Sequence, residues 1–330
     1  METRSAIRGH ELLGGCGTTR CAQGGGRSGI STSTPHTNHH EPRTIRPFGH
    51  RPLDHIRAEP MPTKSGLDKP TSVEEYEEWL RDNYDIDLGG GGEERRYQAL
   101  TLRLKDQFTE SSFWSSLGTS LDEWHARYRE EHEDYPLLET RHLPNVDTKR
   151  FSSLVEKTYR LNILLNDEWP GPPRITDSRK EWYGPANWYE LIHDVIRARF
   201  TVKYMDGAQF LVERIARLAA ENGRTTRVEY LARPDGYHAV HILVSQDFNT
   251  IDRETSDPVT LRSLVEIQVT TEIQATILDM LHNVYERWRL EGAPEGWQWQ
   301  HDSAEFAVNY LGHTLHYLEG MIVVARERSI

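Results

Sequence analysis

Two short apolar segments in the C-terminal half of the chain constrain its fold most, residues 233–245 and 263–269. Apolar and β-branched residues dominate both, and Pro-Asp-Gly at 234–236 supplies a turn, so each segment predicts a β-strand. Strand alternation places two sets of side chains on one face each: Tyr237, Ala239 and His241, and Leu264, Glu266 and Gln268. A carboxylate and an amide are costly to bury there without partners. The pattern therefore indicates either the solvated face of an edge strand or a functional site.

Composition limits the classes of partner. The 330 residues carry a formal charge of −12, with 51 acidic and 39 basic side chains, which argues against a broad basic surface for nucleic acid. A local phosphate pocket needs only a few convergent Arg or Lys side chains and is compatible with this charge. The two cysteines, Cys16 and Cys21, lie in the N-terminal tail, so the body has no cysteine metal site. No apolar run suggests a membrane span or a signal peptide, which predicts a cytoplasmic protein.

The sequence divides into three regions. Residues 1–65 are rich in Gly, Ser, His and Pro and predict a disordered low-complexity tail, with Met61 as an alternative start. Residues 66–168 show helical periodicity and predict a helical region. In residues 169–330 strands alternate with helices. The whole predicts an α/β (α+β) fold: a mixed sheet flanked by helices, with an N-terminal helical layer and a long C-terminal helix.

Three of the predicted elements are specific enough to compare with a structure. A fourth helix is expected from about Asp147 to Leu165, and a polar loop is expected between the two central strands at 246–258. The last helix, residues 302–326, has a periodic apolar stripe that predicts a core-facing side. That stripe comprises Phe306, Tyr310, Leu311, Leu315, Leu318 and Ile322.

Several polar residues could carry chemistry at one end of the predicted sheet. Asp194 and Glu266 come from separate elements, and two carboxylates are what Mg²⁺ needs when nucleotide phosphates and water complete its shell. Tyr237 could stack on a base. Four basic side chains could neutralise a polyphosphate and stabilise charge during phosphoryl transfer: Arg174, Arg179, Lys180 and Arg199. Taken singly, each residue type is more often found in an ordinary structural role.

The order of these residues resembles a known family. Gly-Tyr-His-Ala-Val-His at 236–241 and Glu-Ile-Gln at 266–268 are similar to the Gly-Tyr-x-x-x-His and Glu-x-Gln signatures of the RelA/SpoT family of alarmone synthetases. Upstream, residues 194–199 resemble that family's Asp-x-x-Gly-x-Arg, with Arg197 at the glycine position. The resemblance covers residues 170–290. Without a hydrolase domain, the chain is similar to the small, synthetase-only members.

The resemblance implies a nucleotidyltransferase-like sheet and a (p)ppGpp synthetase, a GTP/GDP diphosphokinase that transfers pyrophosphate from ATP to the 3′-hydroxyl of GDP or GTP. It implies that Asp194 and Glu266 hold Mg²⁺ and that Glu266 helps to deprotonate the acceptor. Tyr237 would stack on guanine, with His241 and Gln268 supporting the acceptor site. The implied phosphate-facing residues are Arg199 and the nearest basic cluster, Arg174, Arg179 and Lys180.

Two alternatives remain open. A toxic relative would use a tRNA 3′ end as the acceptor, although the acidic balance of the chain disfavours extensive tRNA contact. A catalytically inactive guanine-nucleotide-binding module would fit the incomplete basic segment expected to grip ATP. Homo-oligomerisation is compatible with every one of these hypotheses.

Overall fold

The computed structural model of the protein describes residues 68–233, 236–252, 255–280 and 295–328. The predicted tail and the alternative start at Met61 lie outside the described residues. None of the described helices is both long enough and apolar enough to cross a membrane.

A five-stranded mixed sheet forms the centre of the fold, with the strand order β1-β4-β7-β6-β5. β4 and β7 are parallel, and the other neighbours are antiparallel. A separate two-stranded hairpin consists of β2 and β3. The strands are β1 (Val146–Thr148), β2 (Arg174–Thr176), β3 (Arg179–Lys180), β4 (Ile196–Val202), β5 (Thr226–Ala232), β6 (His238–Ile251) and β7 (Pro258–Thr271).

Helices flank this sheet, which confirms the predicted α/β class. Ser72 begins the first helix by accepting a 3.2 Å hydrogen bond from the Glu75 N–H. The helices are α1 (Val73–Tyr84), α2 (Gly92–Thr109), α3 (Ser112–Glu131), α4 (Phe151–Tyr159), α5 (Trp188–Leu191), α6 (Met205–Glu221), α7 (residues 272–280) and α8 (Ala304–Arg328). A π-helical turn, Arg160–Leu164, continues α4.

One face of the sheet is the core. Alternate residues of the inner strands are apolar and less than a tenth exposed: Ala198, Phe200, Val202, Ile242, Val244, Val265, Ile267 and Val269. The Phe200 ring lies 6.5 Å from the ring of Trp114 on α3, so this face packs against the helical layer. Because alternate residues of a strand point to opposite faces, the other face receives the intervening polar residues.

Two predicted elements differ from the structure. The helix expected from about Asp147 begins only at Phe151, because Val146–Thr148 pair with Ile196–Ala198 as an edge strand. The loop expected at 246–258 is largely strand, since β6 and β7 continue as a long hairpin up to the Ile251–Pro258 pair. A three-residue strand is too short to show alternation, and the hairpin arm is polar enough to look like a loop.

The apolar stripe of the last helix was predicted to face the core, but most of it is exposed. In α8, four of its residues are more than two-fifths exposed: Tyr310, Leu311, Leu318 and Ile322. The buried side of the helix instead carries Asn309, Gly312, Glu319 and Arg326. Close backbone approach at Gly312 and an ion pair between Arg326 and Asp206 fix this orientation.

Candidate functional site

Strand register gathers the motif residues on the polar face of the sheet. Arg199 of β4 is level with Gln268 of β7, and Gln268 is level with His241 of β6. Two residues earlier on the same two strands, Arg197 of β4 is level with Glu266 of β7. Partners in register have side chains on the same face, so these five residues form one continuous polar surface across three strands.

A chain of hydrogen bonds runs across this surface and holds Glu266 at its centre. The Tyr237 hydroxyl lies 2.7 Å from Nε2 of His241, and Nδ1 of His241 lies 3.4 Å from Oε2 of Glu266. Gln268 donates to Oε1 of Glu266 at 2.6 Å. Arg199 in turn donates to Gln268 at 3.4 Å and to the carboxylate of Asp279 on α7 at 3.1 Å. Both oxygens of the glutamate are therefore positioned by neighbours.

Glu266 is ionised in spite of its burial. It is 8% exposed, and burial alone raises the pKa of this carboxyl group. The hydrogen bond and electrostatic attraction of His241, together with the hydrogen bond from Gln268, outweigh burial, so the pKa of Glu266 lies below its usual range. The negative charge of Asp194 acts against that lowering of the Glu266 pKa, which shows that the two carboxylates share one electrostatic environment.

Asp194 lies on the 3-10 turn His193–Val195, immediately before β4, between two lysines. Lys157 donates to its Oδ1 at 2.8 Å and Lys149 to its Oδ2 at 3.0 Å. Burial raises the pKa of Asp194, but the charges and hydrogen bonds of Lys157 and Lys149 together hold it well below the usual range. The aspartate is a fixed anion inside a basic clamp.

Positive charge is in excess around this clamp. Burial lowers the pKa of Lys149; Asp194 opposes this shift, while Lys157 and Arg197 add to it. Arg197 forms no ion pair in the part of the chain that the structure describes. Two lysines flank Asp194, and Arg197 is level with Glu266, so three cations face two carboxylates and a bound anion would reduce the repulsion between the cations. Phosphate is an anion that Lys and Arg side chains commonly bind in proteins.

The basic residues expected to grip ATP are placed elsewhere. On the β2–β3 hairpin, Arg174 and Lys180 both bind Glu168, at 2.7 Å and 2.8 Å. Arg179 pairs with Glu181 and with Glu190 of α5. All three cations are therefore paired with neighbouring carboxylates. Arg199 is also paired, with Asp279 at 3.1 Å, but it lies on the polar surface of the sheet.

Lys149 and Lys157 are the site residues that the sequence interpretation missed. Lys149 lies just before the N-cap of α4 and Lys157 lies within that helix, so no helical spacing relates the two lysines in the sequence. Their common partner was not visible, because Asp194 is 45 and 37 residues further along the chain.

The residues present fit a magnesium ion only if substrate supplies further ligands. Within the described ranges, no group of three or more His, Cys, Asp or Glu could hold a metal. Asp194 and Glu266 offer two carboxylates, and each oxygen retains a lone pair beside its hydrogen bond. Mg²⁺ commonly takes one or two carboxylates and completes its shell with phosphate oxygens and water. With two lysines adjacent, the cation is best accommodated together with a polyphosphate.

No protein-family model and no curated protein matches this sequence. Solved structures that resemble the chain include small alarmone synthetases and a GTP pyrophosphokinase family protein. Small alarmone synthetase 1 from Bacillus subtilis is 17% identical over 69% of this chain and 97% of its own, with a TM-score of 0.41. The same synthetase bound to its product pppGpp is 17% identical over 69% of this chain and 99% of its own, with a TM-score of 0.42. A GTP pyrophosphokinase family protein from Streptococcus pneumoniae is 16% identical over 68% of this chain and 95% of its own, with a TM-score of 0.38. Such low identities transfer no residue roles to this chain.

Proposed function

We propose that this protein is a (p)ppGpp synthetase that transfers pyrophosphate from ATP to the 3′-hydroxyl of GDP or GTP on the polar face of its sheet. The main support is Asp194, clamped by Lys149 and Lys157, in the same electrostatic environment as the oriented carboxylate of Glu266. The motif resemblance at residues 194–199, 236–241 and 266–268 supports the same reaction. A cytoplasmic location would match its nucleotide substrates.

The donor is proposed to bind with its phosphates at the basic clamp. Lys149, Lys157 and Arg197 supply the positive charge that a triphosphate requires, and Arg199 extends that charge towards the acceptor side. Such charges are effective in phosphoryl transfer because they are in position before charge develops. Asp194 and Glu266 would hold Mg²⁺, and the metal when bound neutralises and aligns the phosphate oxygens.

The acceptor is proposed to bind at Tyr237, whose half-buried ring has the Arg233 guanidinium 5.1 Å from its centre and would stack on guanine. The 3′-oxygen of the bound GDP or GTP attacks the β-phosphorus of ATP and forms a new O–P bond. The bond between that phosphorus and the oxygen that bridges it to the α-phosphate breaks at the same time. The hydroxyl proton passes towards Glu266, which His241 and Gln268 hold in one orientation. AMP leaves with the bridging oxygen, so the pyrophosphoryl group is transferred whole.

The test uses the purified full chain with Mg²⁺, ATP labelled in the β-phosphate, and GDP, GTP or uncharged tRNA in separate reactions. The expected result is label on the 3′ position of GDP or GTP with an equal amount of AMP. Label on the tRNA 3′ end would support the toxic-relative alternative instead. Binding of guanine nucleotide without transfer to any acceptor would contradict the proposal and favour the inactive module.

A further inference from the structure

Three histidines meet where α8 crosses the start of β6. His238 is the first residue of β6, and His313 and His316 lie on α8. The ring of His238 stacks on the ring of His316, with centroids 3.8 Å apart and 6° between the ring planes. Nε2 of His238 lies 3.3 Å from Nδ1 of His313. We call these three residues the histidine trio.

The histidine trio lies directly behind the proposed acceptor residue. Strand alternation puts His238 on the face of the sheet opposite to Tyr237 and His241. On the same side as the trio, α8 packs closely on Gly236, because a Cβ atom at Gly312 would clash with the Gly236 backbone. α8 therefore contacts the residues on both sides of Tyr237, so a movement of this helix would also displace Tyr237.

The contacts of the trio require uncharged rings. In the hydrogen bond between His238 and His313, one ring nitrogen donates and the other accepts, which is impossible once all four nitrogens carry hydrogen. Nδ1 of His238 is buried without a hydrogen-bond partner in the described part of the chain, so a proton there would lose water without gaining an acceptor. Charges on the stacked rings of His238 and His316 would also repel each other.

The surroundings of the trio do not favour a charge on His238. Neighbouring positions on β5, β7 and α7 are uncharged: Ala232, Thr270 and Gln274. Beyond the end of β5, Arg233 lies over the ring of Tyr237. On α8, Glu319 lies one turn beyond His316, but burial raises the pKa of its carboxyl group and so favours the uncharged form.

We propose that the histidine trio is a pH switch that docks α8 on Gly236 when its rings are neutral and releases α8 when they are protonated. His313 is exposed and His316 is partly exposed, so protons from the solvent have access to the trio. Release of α8 would free the segment that carries Tyr237 and weaken acceptor binding. That last consequence rests on the proposed function, whereas the switch itself does not.

The direction of the pH response follows from His238. Burial, His316 and His313 lower the pKa of His238 to about 4. Burial and His313 also lower the pKa of His316. Because the pKa of His238 with α8 docked lies below its ordinary value of about 6.5, docking is fully stable above that value and is weakened as the pH falls towards 4. Between pH 7.5 and pH 5 the docking equilibrium should shift by roughly 30-fold.

The test is hydrogen exchange of the full chain, followed by mass spectrometry between pH 7.5 and pH 5 and corrected for the intrinsic pH dependence of exchange. Protection of residues 236–241 and 304–328 should fall by roughly 30-fold at pH 5, while β4 stays protected. His238→Phe keeps a ring for stacking but takes up no proton, so its fall should be much smaller. His142→Phe removes an exposed histidine outside the trio and should respond like the native chain.

Unchanged protection of α8 in the native chain across this pH range would overturn the proposal. A native-like fall in His238→Phe would also overturn it, and His316→Phe gives the same comparison if His238→Phe does not fold. An equal loss of protection in β4 would show general acid unfolding and would contradict the switch. Calorimetry with GDP at both pH values separates the two proposals, because absent GDP binding with an intact exchange response would contradict only the acceptor site.

Discussion

Lys149, Lys157 and Arg197 bring three positive charges to a place where Asp194 and Glu266 supply two negative charges. Such an imbalance is unfavourable in the free protein, since burial and the neighbouring cations already lower the pKa of Lys149. It becomes favourable when a polyanion binds. At the scale of single residues, then, donor affinity should depend on the clamp lysines and not on the paired cations of the β2–β3 hairpin.

Lys157→Met should weaken binding of a non-hydrolysable ATP analogue by roughly 10- to 100-fold, the range expected for one lost charge-assisted hydrogen bond. The matched control is Lys180→Met, which removes an exposed lysine already paired with Glu168. Its affinity should stay within about twofold of native. Isothermal titration calorimetry with Mg²⁺ present measures both. Greater weakening in Lys180→Met than in Lys157→Met would place the donor at the hairpin and contradict the assignment.

Asp194→Asn should change the acid dependence of stability. The folded-state pKa of Asp194 is depressed below its unfolded value of about 3.9, so its stabilisation is fully present above that value and is lost as the pH falls towards the folded-state pKa. The variant should lose roughly 3 kcal/mol near neutral pH, as for a broken buried pair. Urea unfolding should show this difference shrinking below about pH 4. A difference that grows on acidification would mean that the lysines do not stabilise the carboxylate.

Sequence reasoning located some residues of the site and not others, for a physical reason. His241, Glu266 and Gln268 lie on two strands, and Tyr237 directly precedes the first of them. The alternation and the motifs of these strands are local, so the common face could be predicted. The clamp lysines meet Asp194 only through tertiary packing of α4 against the turn before β4. No local pattern encodes that contact.

Among the elements, α8 shows that hydrophobic periodicity does not determine which side of a helix faces the core. Its apolar residues do share one side of the helix, but an amphipathic period cannot distinguish a side that faces the core from one that stays exposed. The short edge strand β1 was missed for a different reason. Its pairing with β4 is a property of the sheet and leaves almost no trace in three residues.

Gly312 sets how closely α8 approaches the sheet. A Cβ atom at Gly312 would clash with the backbone of Gly236, a residue in the left-handed region at φ 77°. Gly312→Ala should therefore destabilise the protein by about 1–3 kcal/mol, as overpacking does. It should also weaken GDP binding, because Tyr237 follows Gly236 directly.

Gly320→Ala is the matched control on the same helix. Its added methyl group would meet its nearest neighbour, the Met205 side chain, at an ordinary 3.7 Å. The higher helix propensity of alanine should then stabilise the protein by up to about 1 kcal/mol. Urea unfolding compares the two variants. Equal effects at both positions would show that close approach at Gly312 does not hold the helix.

For the whole molecule, the α/β class and the mixed sheet followed from alternating strands and helices, because each element carries its own hydrophobic period. Strand order did not follow, since a parallel β4–β7 pair depends on which distant segments meet. That pair is what brings the strand after Asp194 alongside the strand of Glu266. The candidate site is thus a product of topology as much as of motifs.

The most direct test is the rate of pyrophosphate transfer from ATP to GDP in Glu266→Gln, compared with Glu229→Gln. Glu229 of β5 lies in register with His241 of β6 and pairs with Arg227 at 2.9 Å. Both variants therefore remove one carboxylate from the same sheet with little change in side-chain shape. Transfer should fall by roughly 100- to 1000-fold in Glu266→Gln, as when a positioned catalytic group is lost, and stay near native in Glu229→Gln. Undiminished transfer in Glu266→Gln would contradict the placement of the reaction at this face.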